Sequence, residues 1–257
     1  MSDFDIVVGI HSIGAALSNP KRTHTKIVCT EDGKEELLKR TEINKLDLEK
    51  VEIELVSSHK LQEEGKRYYK ELELEFQRIP SQVFLITSPL ETHDNNWLYE
   101  QIRGNQDLKI LCLDQISDVH NGAAILRTAS FYGVDIVIMP SKRSFRFTPS
   151  FYRIASGATE FLNLVQVGSL PKVIAKFNSL NVITVGLTEH STNPFSDEVL
   201  QQKQNLCLVL GKEETGISNA VLRLIDHQLS LPSMGDIKSL NVSVAAAISM
   251  EKSFGKL

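Results

Sequence analysis

The chain has 257 residues, 42% of them hydrophobic and 23% charged, with a formal net charge of −4. That composition fits a soluble globular protein of one large or two small domains. It excludes a disordered polyelectrolyte, and no apolar run approaches the ~18 residues that a membrane-spanning helix needs. The opening MSDFDIVVGI carries Asp3 and Asp5 and no basic stretch, so it does not read as a secretory signal. Cys29, Cys112 and Cys207 lie far apart without a C-x-x-C spacing, which argues against a disulfide framework or a zinc site and makes a reducing cytoplasm the expected setting. Cys112 and Cys207 sit inside apolar runs and read as buried core residues. The charge is uneven: residues 1–106 hold 14 Lys/Arg and 19 Asp/Glu, net −5, whereas residues 107–257 hold 14 and 13, net +1. Charge alone therefore does not point to a nucleic acid.

In chain order, residues 6–75 alternate strand-like and helix-like segments. IVVGIHSIGAALSN reads as a strand leading into a helix and KIVCT as a strand; GKEELLKRTEI is a helix, VEIELVS a strand and SHKLQEEGKRYYK a helix. Residues 1–75 are thus expected to form a small α/β domain. Residues 76–106 read as an irregular joining segment holding one strand, VFLIT. From residue 107 to 257 the rhythm is stricter. Apolar runs at KILCLD, VDIVIMP, NLVQV, NVITVGL, NLCLVLG and HQLSLP alternate with helical patterns at AAILRTASFYG, PSFYRIASGA, LPKVIAKFNSL, PFSDEVLQQ and ISNAVLRLI, and a final helix covers SLNVSVAAAISMEKSF. Buried strands alternating with helices imply a mainly parallel sheet covered on both faces, so the fold class is α/β.

In such a sheet ligands bind beyond the carboxyl ends of the strands. Three loops expected there combine glycine with amide or charged residues: QISDVHNGAAILRTA, with Asn121, Gly122 and Arg127; GKEETGIS, with Gly211, Glu213 and Gly216; and SMGDIKSLNVSVA, with Gly235, Ser239 and Asn241. Each has a plain structural reading. Asn121 could cap its helix, Ser239 and Asn241 could cap the last one, and the glycines could serve turns. Jointly they are what a backbone-lined ligand pocket needs. No G-x-G-x-x-G follows a strand and no G-x-x-x-x-G-K-[ST] occurs, which disfavours a dehydrogenase or P-loop enzyme. His59 and His227 read as surface or strand-end residues, and none of the histidines is taken as a ligand or base.

The loop PSKRSFRFTPSFYR interleaves Lys142, Arg143, Arg146 and Arg153 with Phe145, Phe147, Phe151 and Tyr152. This suits phosphate contact with base stacking; the alternative is a solvated basic loop whose aromatics enter the core.

The three loops resemble motifs 1, 2 and 3 of the SpoU/TrmH family of RNA 2′-O-ribose methyltransferases, in the SPOUT superfamily. The matching segments are Asn121–Gly122–Ala123 through Arg127–Thr128–Ala129, LVLGKEETGIS and LPSMGDIKSLNVSVA. Ala123 stands where the family usually has glycine. Ser156–Gly157–Ala158–Thr159–Glu160 is similar to a secondary family feature with one residue fewer. The beginning, VVGIHSIGAAL, is similar to the ribosomal-protein-like RNA-binding domain of many such enzymes, whereas Pro80 to Leu85 replaces the family's usual linker sequence.

This resemblance implies a trefoil-knotted C-terminal fold and S-adenosylmethionine as cofactor, held near Leu187, Thr188, Gly211, Leu231 and Leu240. It also implies a homodimer through the C-terminal domain, with no metal and no membrane. Arg127 is carried over as catalytic, and because a guanidinium stays protonated it reads better as an orienter than as a base. Asn121 would hold Arg127 or the ribose, Glu213 would orient Asn121 and Arg127 or bind RNA, and Ser239 and Asn241 would shape the pocket and the 2′-hydroxyl site. The two-domain layout resembles enzymes that modify a guanosine of large-subunit rRNA. A tRNA guanosine, an rRNA adenosine of the antibiotic-resistance type and a non-catalytic RNA-binding relative remain alternatives.

Overall fold

The computed structural model describes residues 3–41, 51–194, 204–237 and 239–255. In chain order its elements are β1 (Asp5–Val8), α1 (Ile10–Ser18), β2 (His24–Cys29), α2 (Glu31–Arg40), β3 (Glu52–Leu55), α3 (Ser58–Glu71), β4 (Val83–Thr87), α4 (Asn95–Gly104), β5 (Lys109–Asp114), α5 (Val119–Phe131), β6 (Ile136–Pro140), α6 (Pro149–Ala155), β7 (Asn163–Val167), α7 (Leu170–Phe177), β8 (Val182–Leu187), β9 (Asn205–Gly211), α8 (Asn219–Leu222), β10 (His227–Leu229) and α9 (Val242–Phe254). The helix expected at PFSDEVLQQ falls on 195–203, outside the described residues. Among the described residues no helix is long and apolar enough to cross a membrane.

The chain divides into two compact units, one of residues 1–91 with 147–161, the other of 92–146 with 162–257. The first holds a four-stranded sheet in the order β1-β4-β2-β3, with β4 antiparallel to both its neighbours and β2 parallel to β3. Its core is built from Ile6, Val8, Val28, Leu61, Phe84 and Ile86, all buried. The strand VFLIT, expected in a joining segment, is therefore an inner strand of this sheet.

Membership of 147–161 in the first unit rests on buried charge. Arg22, whose side chain is 1% exposed, donates from Nη2 to Glu160 Oε1 at 2.7 Å and from Nη1 to Asp5 Oδ2 at 2.8 Å. Its Nε reaches Glu160 Oε2 at 3.1 Å, and Nη1 also reaches the Ser88 carbonyl at 2.6 Å. Asn19 adds an amide bond to Glu160 at 2.7 Å, and the Tyr152 hydroxyl donates to Asp5. Burial is the largest single influence on Arg22 and works against its charge, but the hydrogen bonds and charges of Glu160 and Tyr152 together outweigh it and raise the guanidinium above its ordinary pKa. Burial first, and then the charge of Asp5, push the Tyr152 phenol well above its usual range, so it stays a donor. Ser156 and Gly157, at φ 53° and 86°, turn the chain after α6 to deliver Glu160 to this cluster.

The second unit is a six-stranded, wholly parallel sheet in the order β10-β8-β9-β5-β6-β7. The chain starts in the middle at β5, runs outward through β6 and β7, and then fills the other side, inserting β9 between β5 and β8. The order of travel reverses at the β5/β9 boundary, which is where an open α/β sheet forms its ligand crevice. Cys112 and Cys207 are both fully buried in these strands, as their apolar surroundings predict. A knot is a property of the whole chain path, and 195–203, which join β8 to β9, lie outside the described residues.

Helix α4 was not expected. Asn95, Asn96 and Gly104 obscure its pattern, yet Leu98 and Ile102, four residues apart, bury against the second sheet, and Asp94 caps it by accepting from the Asn96 and Trp97 amides at 3.0 Å. At the opposite end of the sheet from the ligand crevice, Lys109 Nζ donates to the carbonyls of Tyr132 and Phe254 at 3.2 Å each, tying off α5 and α9 together.

Candidate active site

Asp114, Gly211, Leu187 and Leu229 end β5, β9, β8 and β10 at the same edge of the second sheet, and the loops that follow build the site. After β5, the N-cap of α5 is Asp118, whose Oδ1 accepts from the Asn121 amide at 2.7 Å. Asn121 is thus not the cap, and its side chain is left for tertiary contact. Its Nδ2 donates to Glu213 Oε2 at 3.1 Å, and Asn241 Nδ2 donates to Asn121 Oδ1 and Glu213 Oε2 at 3.0 Å each. Three residues from three motif loops, 28 to 120 positions apart, form one hydrogen-bonded cluster. Asn241 also caps α9 through Oδ1, accepting from Ser243 N at 3.0 Å, so its capping and tertiary readings are both realised.

Two glycines are fixed by close approach. A Cβ on Gly211 would stand 2.1 Å from the Gly216 carbonyl carbon and the Ile217 nitrogen, because Lys212 and Gly216 exchange backbone hydrogen bonds at 3.1 and 2.7 Å and fold the loop back on the strand end. Buried Asp114 anchors the same loop by accepting from Ser218 N at 2.7 Å. The sequence reading passed over Asp114; a carboxylate closing an apolar parallel strand was the available signal. A Cβ on Gly122 would meet the Phe145 ring at 2.3 Å, so that glycine admits an aromatic rather than a ligand. Ala123, which stands where the family usually has glycine, is buried within α5.

The loops enclose a cavity of about 330 Å³. Leu187, Thr188, Gly211, Leu231 and Leu240 all line it, as do Glu213 and Ser239. Leu210, Val242 and Ala245 add apolar wall, and Glu189 and His190 add polar groups that the sequence reading did not single out. The lining loop 188–194 is stitched to the β10 exit by Thr188 N to Leu229 O at 2.9 Å, Ser191 Oγ to Gln228 O at 2.7 Å and Ser230 N to Asn193 O at 2.8 Å. Met234 and Ile237, 98% and 80% exposed, stand at the mouth. Replacing Gly211 by alanine is expected to displace 212–217 and to weaken binding of S-adenosylmethionine, the cofactor that the resemblance implies, by about tenfold or more, measured by calorimetry against the wild type.

Arg127 does not line this cavity. It follows Asn121 by six residues, about 120° around the helix, is exposed, and makes no hydrogen bond or ion pair among the described residues. Asn121 and Glu213 therefore orient each other and Asn241, and not Arg127 of their own chain. Lys142, Arg143 and Arg146 are exposed on the second unit and Arg153 is exposed on the first, so the basic run is split between units. Three of its four aromatics are not available as a stacking platform: Phe145, Phe151 and Tyr152 are 5%, 0% and 1% exposed and pack inside, whereas Phe147 is half-buried against Phe151 and Tyr152. Among the described residues no cluster of His, Cys, Asp or Glu is arranged to hold a metal ion.

Residues 109–251, more than half of the chain, match the SpoU rRNA Methylase family. The chain belongs to that family. A Staphylococcus aureus (strain COL) relative assigned to the TrmH family of tRNA/rRNA methyltransferases is 32% identical over 175 residues, 68% of this chain and 70% of the relative. The Acinetobacter baylyi 23S rRNA (guanosine-2′-O-)-methyltransferase RlmB is 31% identical over 153 residues, 60% of this chain and 62% of that enzyme. Among solved structures, the SpoU methyltransferase AviRb of Streptomyces viridochromogenes, in complex with AdoMet, superposes with a TM-score of 0.73 at 19% identity, covering 98% of this chain and 90% of AviRb. A TrmH-family RNA methyltransferase structure from Porphyromonas gingivalis gives 0.71 at 21% identity over 97% of this chain. This SpoU-family chain thus shares the fold of these methyltransferases, with residues of its three motif loops gathered at one edge of the parallel sheet.

Proposed function

We propose that this SpoU-family protein transfers a methyl group from S-adenosylmethionine to a ribose 2′-hydroxyl of RNA. The substrate assigned is a guanosine of large-subunit rRNA, and the protein works in the cytoplasm as a homodimer. The observation that carries the reading is the Asn121–Glu213–Asn241 cluster beside a cavity walled by the residues that the family resemblance assigns to the cofactor. The cavity lies in the size range of small-molecule sites, and its tight Gly211 turn gives a ligand access to backbone groups. S-adenosylmethionine, when bound, supplies a methyl group on a sulfonium that is open to attack by an oxygen.

The protein's share is positioning and electrostatics. Leu210, Leu231, Val242 and Ala245 offer an apolar slot for a base, and Glu213, held by two amides, presents a negative charge to the cationic end of the ligand. Arg127 orients the target phosphate and steadies the ribose oxygen as it becomes anionic. Because Arg127 does not line the cavity of its own chain, a second copy supplies it. The exposed Phe131 on α5 and Val244 and Ile248 on α9, 83%, 48% and 37% exposed, form the apolar surface that such a copy would cover. Lys142, Arg143, Arg146 and Arg153 hold RNA through its phosphates.

Relatives named for rRNA favour rRNA over tRNA only weakly, since the family name and the Staphylococcus description between them cover both. Tritiated methyl transfer to separated rRNA and tRNA pools, with mapping of the labelled nucleotide, tests the reading. Label at a guanosine 2′-oxygen of 23S rRNA is expected. Label in tRNA alone would move the substrate, and none in either pool, with RNA binding intact, would favour the non-catalytic relative.

A further inference from the structure

Among the described residues two carboxylates line the cavity, and they are not equivalent. Glu213 already accepts from the side-chain amides of Asn121 and Asn241. Lys212, on the same wall, is paired with Glu214. Glu189 lines the same cavity from the stitched 188–194 loop, and among the described residues its ion-pair-range neighbour is the His190 imidazole, Nε2 at 3.9 Å. Its side chain is 53% exposed, so in the absence of ligand it is solvated at little cost, while the loop's hydrogen bonds to Gln228, Leu229 and Ser230 fix where it stands. A nucleoside cis-diol offers two O–H donors side by side, and a carboxylate offers two acceptor oxygens to match.

Resting on the cofactor reading above, we infer that Glu189 accepts the two ribose hydroxyls of the bound nucleoside and sets the cavity's preference for a ribonucleoside. The base then lies against the apolar wall, and Glu213 remains for the sulfonium end. The pinned loop matters because a carboxylate already in place loses little freedom when it binds.

The test uses the full-length protein and calorimetry with three probes: S-adenosylhomocysteine, 5′-methylthioadenosine and 2′-deoxy-5′-methylthioadenosine. Glu189→Ala should weaken the first two by about tenfold each and the deoxy analogue, which keeps only its 3′-hydroxyl, by about threefold, with Glu189→Gln in between. Unchanged melting curves will show that both variants fold. A loss confined to S-adenosylhomocysteine would assign Glu189 to the amino-acid tail and overturn the inference, as would wild-type affinity of Glu189→Ala for all three. Wild-type protein that binds none of the probes would overturn the cofactor reading, and the Glu189 assignment with it.

Discussion

Arg127→Ala is expected to lower methyl transfer by about a hundredfold or more while S-adenosylhomocysteine binding stays within about twofold of wild type. The separation follows from position. Arg127 is exposed on α5 and does not line the cavity, so its removal leaves every wall of the cofactor site in place. What is lost is a fixed positive charge at a developing oxyanion, an interaction worth more in the transition state than in the ground state. A rate that falls while the pH profile keeps its shape would support orientation over base duty, in line with a guanidinium that does not shed its proton near neutral pH.

If a second copy supplies this arginine, mixing Arg127→Ala chains with chains disabled at the cavity by Gly211→Val should restore activity to about a quarter of wild type, since half of randomly paired dimers carry one complete site of two. Complete failure of the mixture to recover, with mixed dimers demonstrated, would place Arg127 in the site of its own chain.

Arg22→Leu is expected to destabilise the protein by roughly 3–5 kcal/mol, because it strands Glu160 and Asp5 as buried carboxylates without a cation. Against a typical total stability of about 5–15 kcal/mol, that brings the variant close to unfolding at room temperature. Urea titration followed by circular dichroism measures it. Tyr152→Phe should cost about 1–3 kcal/mol, since Asp5 keeps Arg22 and the Leu90 amide at 3.1 Å when the phenol donor is gone. A shift below about 1 kcal/mol for Arg22→Leu would mean that water replaces the guanidinium and that the cluster does not hold 147–161 in the first unit.

Much of this protein is written in short-range pattern. The apolar runs of 107–257 located all six strands of the parallel sheet, and periodicity found the helices around them except α4, whose two buried residues are too few to stand out among asparagines. The motif loops were legible because each combines glycine with amide or charged residues, and the cofactor residues that the family resemblance implied line one cavity.

Other assignments depended on partners that no local window contains. Asn121 read equally well as a cap until Asp118 proved to hold that place and Glu213 and Asn241 proved to hold its side chain. The aromatics of 145–152 looked fit for stacking on bases, but Phe145 fills the space left by Gly122, and Tyr152 is committed to Asp5. Residues 147–161 follow β6 in sequence yet belong with the first unit, because Arg22 and Glu160, 138 positions apart, can be buried only as a pair.

By itself, then, the sequence determined the α/β alternation, the parallel sheet and the residues at the sheet's carboxyl edge, since each follows from periodicity or from chemistry within a few neighbouring positions, while the family came from the resemblance of its motif loops. Only the tertiary structure decided which polar groups satisfy one another, which aromatics are buried and which carboxylate in the cavity is left to take a ligand. The physical reason is that a buried charge or amide must find its partner wherever the fold supplies one, and the distance along the chain does not enter that energy.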